Sequence, residues 1–230
     1  MVLTTKGSIS ISSGELSYLI AIIGGRVLPG IEIDYSSLST AELKVELADV
    51  QRKLEKKLLI QVNFDGTLEI ASDIFEELSI IAFCSRVINQ TVRINGVIKS
   101  YQYFFRESEL VELTQDQTEA YSFKRIWALH DLQMMIVERN GLQAAYEFEF
   151  KQEKVDSVNN LTHYCTLNSF TILNDLIDDV RESSFIIADN KLLRVSFNMI
   201  PDNEPLIYSL VPIEFNMMMT QTTQFITGKE

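Results

Sequence analysis

The chain has 230 residues, 46% hydrophobic and 23% charged, an ordinary globular balance with enough apolar material for a core. Its formal charge is −12 and its pI about 4.7. That field repels phosphate backbones and anionic lipid, so nucleic acid and membranes are poor partners and a neutral or basic protein is a better one.

No apolar run approaches the roughly 18 residues of a membrane span. Lys6 is followed by Gly7, Ser8 and Ile9, not by the apolar core of a signal peptide. The expectation is a cytoplasmic protein without membrane insertion. Cys84 and Cys165 are expected as free thiols, with one or both buried.

Val2–Ile11 alternates loosely and reads as a strand or arm. Ser12 and Ser13 offer N-cap oxygens, Glu15 suits the positive helix end, and Gly24-Gly25 stops the helix. Arg26–Ser37 reads as a connector. Ser39-Thr40-Ala41-Glu42 is a capping box, and Leu43, Leu47, Val50 and Leu54 recur at helical spacing behind it. Leu58–Phe64 and Thr67–Ile70 read as strands joined by a two-residue Asp65-Gly66 turn. Ser72 is the expected cap of a helix from Asp73 to about Val87, with Phe75, Leu78, Ile81 and Ala82 on one face.

The middle of the chain predicts an antiparallel meander. Thr91–Ile94 turns at Asn95-Gly96 into Val97–Arg106, Glu107-Ser108 turns into Glu109–Leu113, and Tyr121–Ala128 follows. A helix then starts near His130 and ends near Glu138. Leu142–Val155 fits either a helix or, through Tyr146–Phe150, a strand. Leu167–Val180 reads as helix, with Phe170, Leu173, Leu176, Ile177 and Val180 in phase. Ser183–Ala188 and Leu192–Ile200 read as a hairpin about Asp189-Asn190. Pro201–Pro205 is a loop, Leu206–Val211 a strand, and Ile213 to about Phe225 a helix.

One strand-to-helix junction occurs twice. Asp131-Leu132-Gln133-Met134-Met135 lines up with Glu214-Phe215-Asn216-Met217-Met218. The fold class this implies is a single α+β domain over 1–230. It contains two pseudo-symmetric half-units, approximately 1–140 and 141–230, each a meander followed by a helix, with additional packing helices.

Catalytic signatures are absent: no GxSxG, P-loop, dinucleotide fingerprint or HExxH occurs. His163 and Cys165 could in principle form a base–nucleophile pair, but no orienting third group accompanies them. His130 reads as a polar junction residue. Asp175, Asp178 and Asp179 read as a solvated helix face, since no glycine-centred oxygen loop accompanies them. The reading is therefore a non-enzyme with no metal and no cofactor. The candidate partner-binding residues are the aromatics Tyr101, Tyr103 and Phe105 of the long strand, together with Met217 and Met218, since methionine suits adaptable grooves. Ser39–Ile70 also resembles the second half of a winged-helix unit, with Lys53, Lys56 and Lys57 at the helix end diluted by Glu42, Glu46, Asp49 and Glu55.

The order of elements from Ser12 to Met135 resembles the EspG-type chaperones of ESX, or type VII, secretion. It comprises a first helix, the helix from Ser39, the Leu58–Ile70 hairpin, the helix at Asp73, the Tyr101–Leu113 meander and the Trp127–Met135 junction. The composition looks like that of a distant Gram-positive counterpart. The resemblance implies a quasi-symmetric α+β fold and a cytosolic chaperone or adaptor that keeps paired-helix secretion substrates soluble. It singles out the hairpin Val97–Leu113 and the C-terminal helix as surfaces. Two alternatives stand beside it: the acidic charge suits an immunity or antitoxin-type protein binding a basic toxin, and the Ser39–Ile70 pattern suits a winged-helix-containing regulator.

Overall fold

A computed structural model describes residues 9–25, 31, 37–116, 120–139, 161–173, 176–188, 191–198 and 207–228. The elements, in chain order, are α1 (Ser13–Ile23), α2 (Thr40–Lys56), β1 (Ile60–Val62), β2 (Leu68–Ile70), α3 (Ser72–Ala82), β3 (Arg86–Ile94), β4 (Val97–Arg106), β5 (Glu109–Gln115), β6 (Tyr121–Ile126), α4 (Leu129–Arg139), β7 (Leu161–Leu173), β8 (Leu176–Ala188), β9 (Lys191–Asn198), β10 (Ile207–Pro212) and α5 (Phe215–Thr227). The fold is α+β. β1 pairs with β2, and the remaining strands run β10-β9-β8-β7-β3-β4-β5-β6. Each four-strand run, β3–β6 and β7–β10, is a meander that leads into a helix.

The chain divides into two compact units. The first comprises Met1–Val87, Gln102–Ile126 and Thr171–Asp178; the second comprises Ile88–Tyr101, Trp127–Phe170 and Asp179–Glu230.

In the first unit, local capping decides where helices begin. The Ser12 hydroxyl accepts from the Glu15 amide at 3.3 Å, and the Glu15 carboxylate accepts from the Ser12 amide at 2.7 Å. Ser39 and Glu42 repeat the arrangement at α2. Such a box satisfies two backbone donors that a helix start leaves orphaned, and the Ser12 cap is worth about 1 kcal/mol. Glu15 is buried and also accepts from Lys57 Nζ at 2.7 Å, which ties the end of α2 to the start of α1. Lys57 donates further to the Ser10 carbonyl. Leu16, Leu19, Leu54, Leu59, Ile74, Leu78 and Phe104 fill the core beneath.

α2 ends in a Schellman-type reversal in which the Leu59 amide donates to the Leu54 carbonyl. The left-handed position of that reversal, usually a glycine, holds Leu58 at φ 59°.

In the second unit, Ile88, Leu132, Ile136, Cys165, Leu167, Phe185, Leu193 and Met218 are buried. Gln90, also buried, donates at 3.0 Å to the Ile136 carbonyl, one of the orphaned acceptors in the last turn of α4. The Gln133 side chain of α4 donates to the Thr223 hydroxyl of α5 at 2.7 Å. Ser184 donates to Thr166 across β8 and β7.

Several local expectations change. Residues 167–173 and 176–180 are strand, not helix: β7 runs to Leu173 and β8 starts at Leu176. The Ile172 amide donates to the Ser85 carbonyl at 2.8 Å, so a ladder is the partner this backbone finds. An apolar run without caps fits both periods, and tertiary pairing selects one.

α3 is capped by Ala71 without a side-chain bond, and it ends at Ala82 because Ser85 already pairs with Phe105. Its buried face is Ile74, Leu78, Ile80 and Ile81, while Phe75 is exposed. Cys84 accordingly lies beyond the helix.

The Asp65-Gly66 connection is a three-residue loop, Phe64-Asp65-Gly66, closed by the Asn63 amide on the Thr67 carbonyl. Only Gly66 has positive φ there. The arm Val2–Ser8, the connector Arg26–Ser37 apart from Ile31 and Ser37, Leu142–Val155, the Asp189-Asn190 turn and the Pro201–Pro205 loop lie outside the described residues.

Candidate partner-binding surface

Strand β4 changes character along its length. Val97 to Ser100 are exposed, with Val97 59% and Ile98 64% accessible, whereas Tyr103, Phe104 and Phe105 are buried. Tyr101 is half-buried, and the Arg139 guanidinium lies 4.2 Å from its ring centre. Arg86 stacks on Phe105 in the same way at 4.3 Å. A guanidinium over an aromatic face is favoured by the ring quadrupole. Of the three aromatics flagged in the sequence, Tyr101 alone retains substantial access.

The methionine pairs split. Met134 and Met217 face solvent, Met217 53% exposed. Met135 is half-buried and Met218 fully buried. The first member of each pair thus remains outside, and Met218 belongs to the core. Both helices also place an apolar partner of the repeated motif inward, Leu132 in α4 and Phe215 in α5.

The sequence reading missed the strongest exposures. Phe64, at the tip of β1–β2, is fully exposed, and Trp127, between β6 and α4, is 82% exposed. The signal for Phe64 was available: a large aromatic stands inside a turn sequence, Asn63-Phe64-Asp65-Gly66, where no core can cover it.

The tip is held by its own polar groups. Asp65 Oδ1 accepts from the Thr67 amide at 3.0 Å and from the Thr67 hydroxyl at 2.6 Å, and Asn63 Nδ2 donates to Thr67 Oγ1. The Thr67 hydroxyl, followed by its amide, holds the Asp65 carboxyl below the usual carboxylate range.

Beside α3, Glu109 binds Arg106 and Arg125 together, and Arg106 is the main reason its carboxyl is held low. Arg106 also donates to Ser79, and Arg125 reaches Glu76 at 3.5 Å.

The cysteines are poor nucleophiles. Both are free and buried; burial pushes the Cys84 thiol up to about 11 and the Cys165 thiol up to about 12. Thiolate, the reactive form, is scarce in both at neutral pH. His130 is exposed at the start of α4. Asp178 is exposed on strand β8, so the aspartates do not share a helix face; Asp175 lies outside the described residues. Among the described residues no cluster of His, Cys, Asp and Glu could hold a metal ion, and no helix is long and apolar enough to cross a membrane.

No protein-family model matches the chain, and no curated protein matches it. Among solved structures, it is similar to the Mycobacterium tuberculosis type VII secretion system chaperone EspG5, determined in complex with the PE25–PPE41 dimer. The likeness covers 97% of this chain and 96% of that one, with a TM-score of 0.58 and 6% sequence identity. The chain thus shares a fold with EspG5 at a distance where sequence retains almost nothing.

Proposed function

We propose that the protein is a non-enzymatic cytosolic chaperone or adaptor that holds helical substrates of a type VII secretion system in soluble form. The observation that supports this reading is the likeness to EspG5, which extends over nearly the whole of both chains.

A chaperone of this kind needs water-facing apolar side chains for an amphipathic client, a net charge that keeps the complex dispersed, and no reactive group. Val97, Ile98, Tyr101, Met134 and Met217 supply the first and the charge of −12 supplies the second. Tyr103, Phe105 and Met218 are the inward residues of the same strand and helix, and we assign them the role of fixing the outward ones in place.

Affinity capture of the tagged chain from its native cytosol, with mass spectrometry, tests the proposal. The expected result is stoichiometric recovery of a small helical secretion substrate that survives moderate salt. Its loss in a Met217→Asp, Ile98→Asp variant would assign the client to these exposed side chains. Recovery of a basic toxin domain, released by moderate salt, would overturn the chaperone reading.

A further inference from the structure

We propose a second docking surface, formed by hairpin β1–β2 and the first turn of α3, whose partner is a basic amphipathic segment interleaving lysine or arginine with large apolar side chains. None of the residues assigned to the helical client takes part, so the two proposals fail separately.

The hairpin has one apolar face. Ile60 pairs with Ile70 and Val62 with Leu68, and directly paired residues share a face. Along β1 that face leaves the core: Ile60 is buried, Val62 is partly exposed, and Phe64 stands in water. The loop that carries Phe64 is not loose. The Asn63 and Gly66 backbone bonds close it, and the Asp65, Thr67 and Asn63 side chains brace it. A loop backbone braced in advance loses little conformational freedom when a partner covers the aromatic it carries. At the foot of the hairpin, Leu58 is 56% exposed in the left-handed backbone region, where glycine would be less strained.

Charge selects the partner. Between Lys57 and Arg86 the chain carries Asp65, Glu69, Asp73, Glu76 and Glu77, and no lysine, arginine or histidine. The guanidiniums that approach α3, Arg106 and Arg125, are both bound to Glu109, and Arg125 additionally reaches Glu76. The carboxylates of this surface outnumber the cations at its edges, Lys57 beside Leu58, held by Glu15, and Arg125 on Glu76, and such a surface repels an anionic bilayer. It also repels the same face of a second copy, which would set like charges against each other. A segment with cations beside its apolar residues complements both features.

The test is fluorescence anisotropy of the full chain with two labelled helical peptides of about 18 residues, one built from lysine and leucine and one from glutamate and leucine. The lysine peptide is expected to bind, more weakly at about 300 mM salt than at about 50 mM, and the glutamate peptide not to bind. Phe64→Ser is expected to weaken the lysine peptide at least about tenfold with an unchanged melting curve, while Val45→Ser, at an exposed site on α2, leaves binding as it was. Equal binding by Phe64→Ser would show charge attraction without a site and would overturn the proposal. So would binding of the glutamate peptide, or self-association in sedimentation that Phe64→Ser abolishes.

Discussion

At the tip of β3–β4, Asn95 and Gly96 hold φ of 50° and 84°, and those two residues alone connect the strands. At the tip of β1–β2 the sequence offers a similar pair, Asp65-Gly66, yet three residues intervene and Gly66 alone takes positive φ, 83°. The difference lies in the side chain before the glycine and its neighbour. Asp65 accepts two hydrogen bonds from Thr67, which favours the longer loop; residue 97, at the corresponding position, is valine and has nothing to donate from its side chain.

The two tips also carry opposite charge: Arg93 and Lys99 flank one, Asp65 and Glu69 the other. One is an extension of a core strand, and the other is a small sheet of its own. Both place large apolar residues in water, so the molecule offers two separate apolar features with different electrostatic preferences.

The largest effect should come from the root of the second hairpin. Phe104→Ala, which empties a fully buried site on β4, is expected to cost about 3–5 kcal/mol. Phe64→Ala is expected to stay within about 0.5 kcal/mol. Denaturant unfolding of both variants checks the contrast, and comparable losses would mean that Phe64 packs against the fold and does not stand in water.

Next come the turns. Neither Gly66 nor Gly96 has an atom within 4 Å of an added Cβ, so an alanine at either would meet only the backbone penalty of positive φ. Each substitution is expected to cost about 1 kcal/mol. Leu58→Gly runs the other way. It relieves left-handed strain of about 1–2 kcal/mol and gives back part of that in unfolded-state freedom, for a net gain of about 0.5–1 kcal/mol. A lower melting temperature for Leu58→Gly would show that its side chain packs.

The smallest effect is in acid. Because the folded Asp65 carboxyl is held below its ordinary 3.8 by Thr67, its share of stability is present above that value and disappears as pH falls through the lower, folded one. An NMR titration should place the Asp65 midpoint below 3.8, and Thr67→Val should return it towards that value.

Much of this molecule was legible without coordinates. The Ser12–Glu15 and Ser39–Glu42 boxes, the Gly24 stop and the Asn95-Gly96 turn are set by residues within five positions of one another, because a cap or tight turn is satisfied by its own neighbours. Tertiary structure decided what depends on distant partners. Residues 167–173 and 176–180 became strands because backbone such as that of Ser85 was there to pair with them, and α3 stopped short because the chain after it joined the sheet. The candidate site divided in the same way. Sequence located β4 and the methionine pairs, but only packing could bury Tyr103 and Met218 and leave Tyr101 and Met217 accessible: Tyr101 and Tyr103 share one face of β4, so periodicity does not say where along that face the core stops, nor which side of α5 it covers.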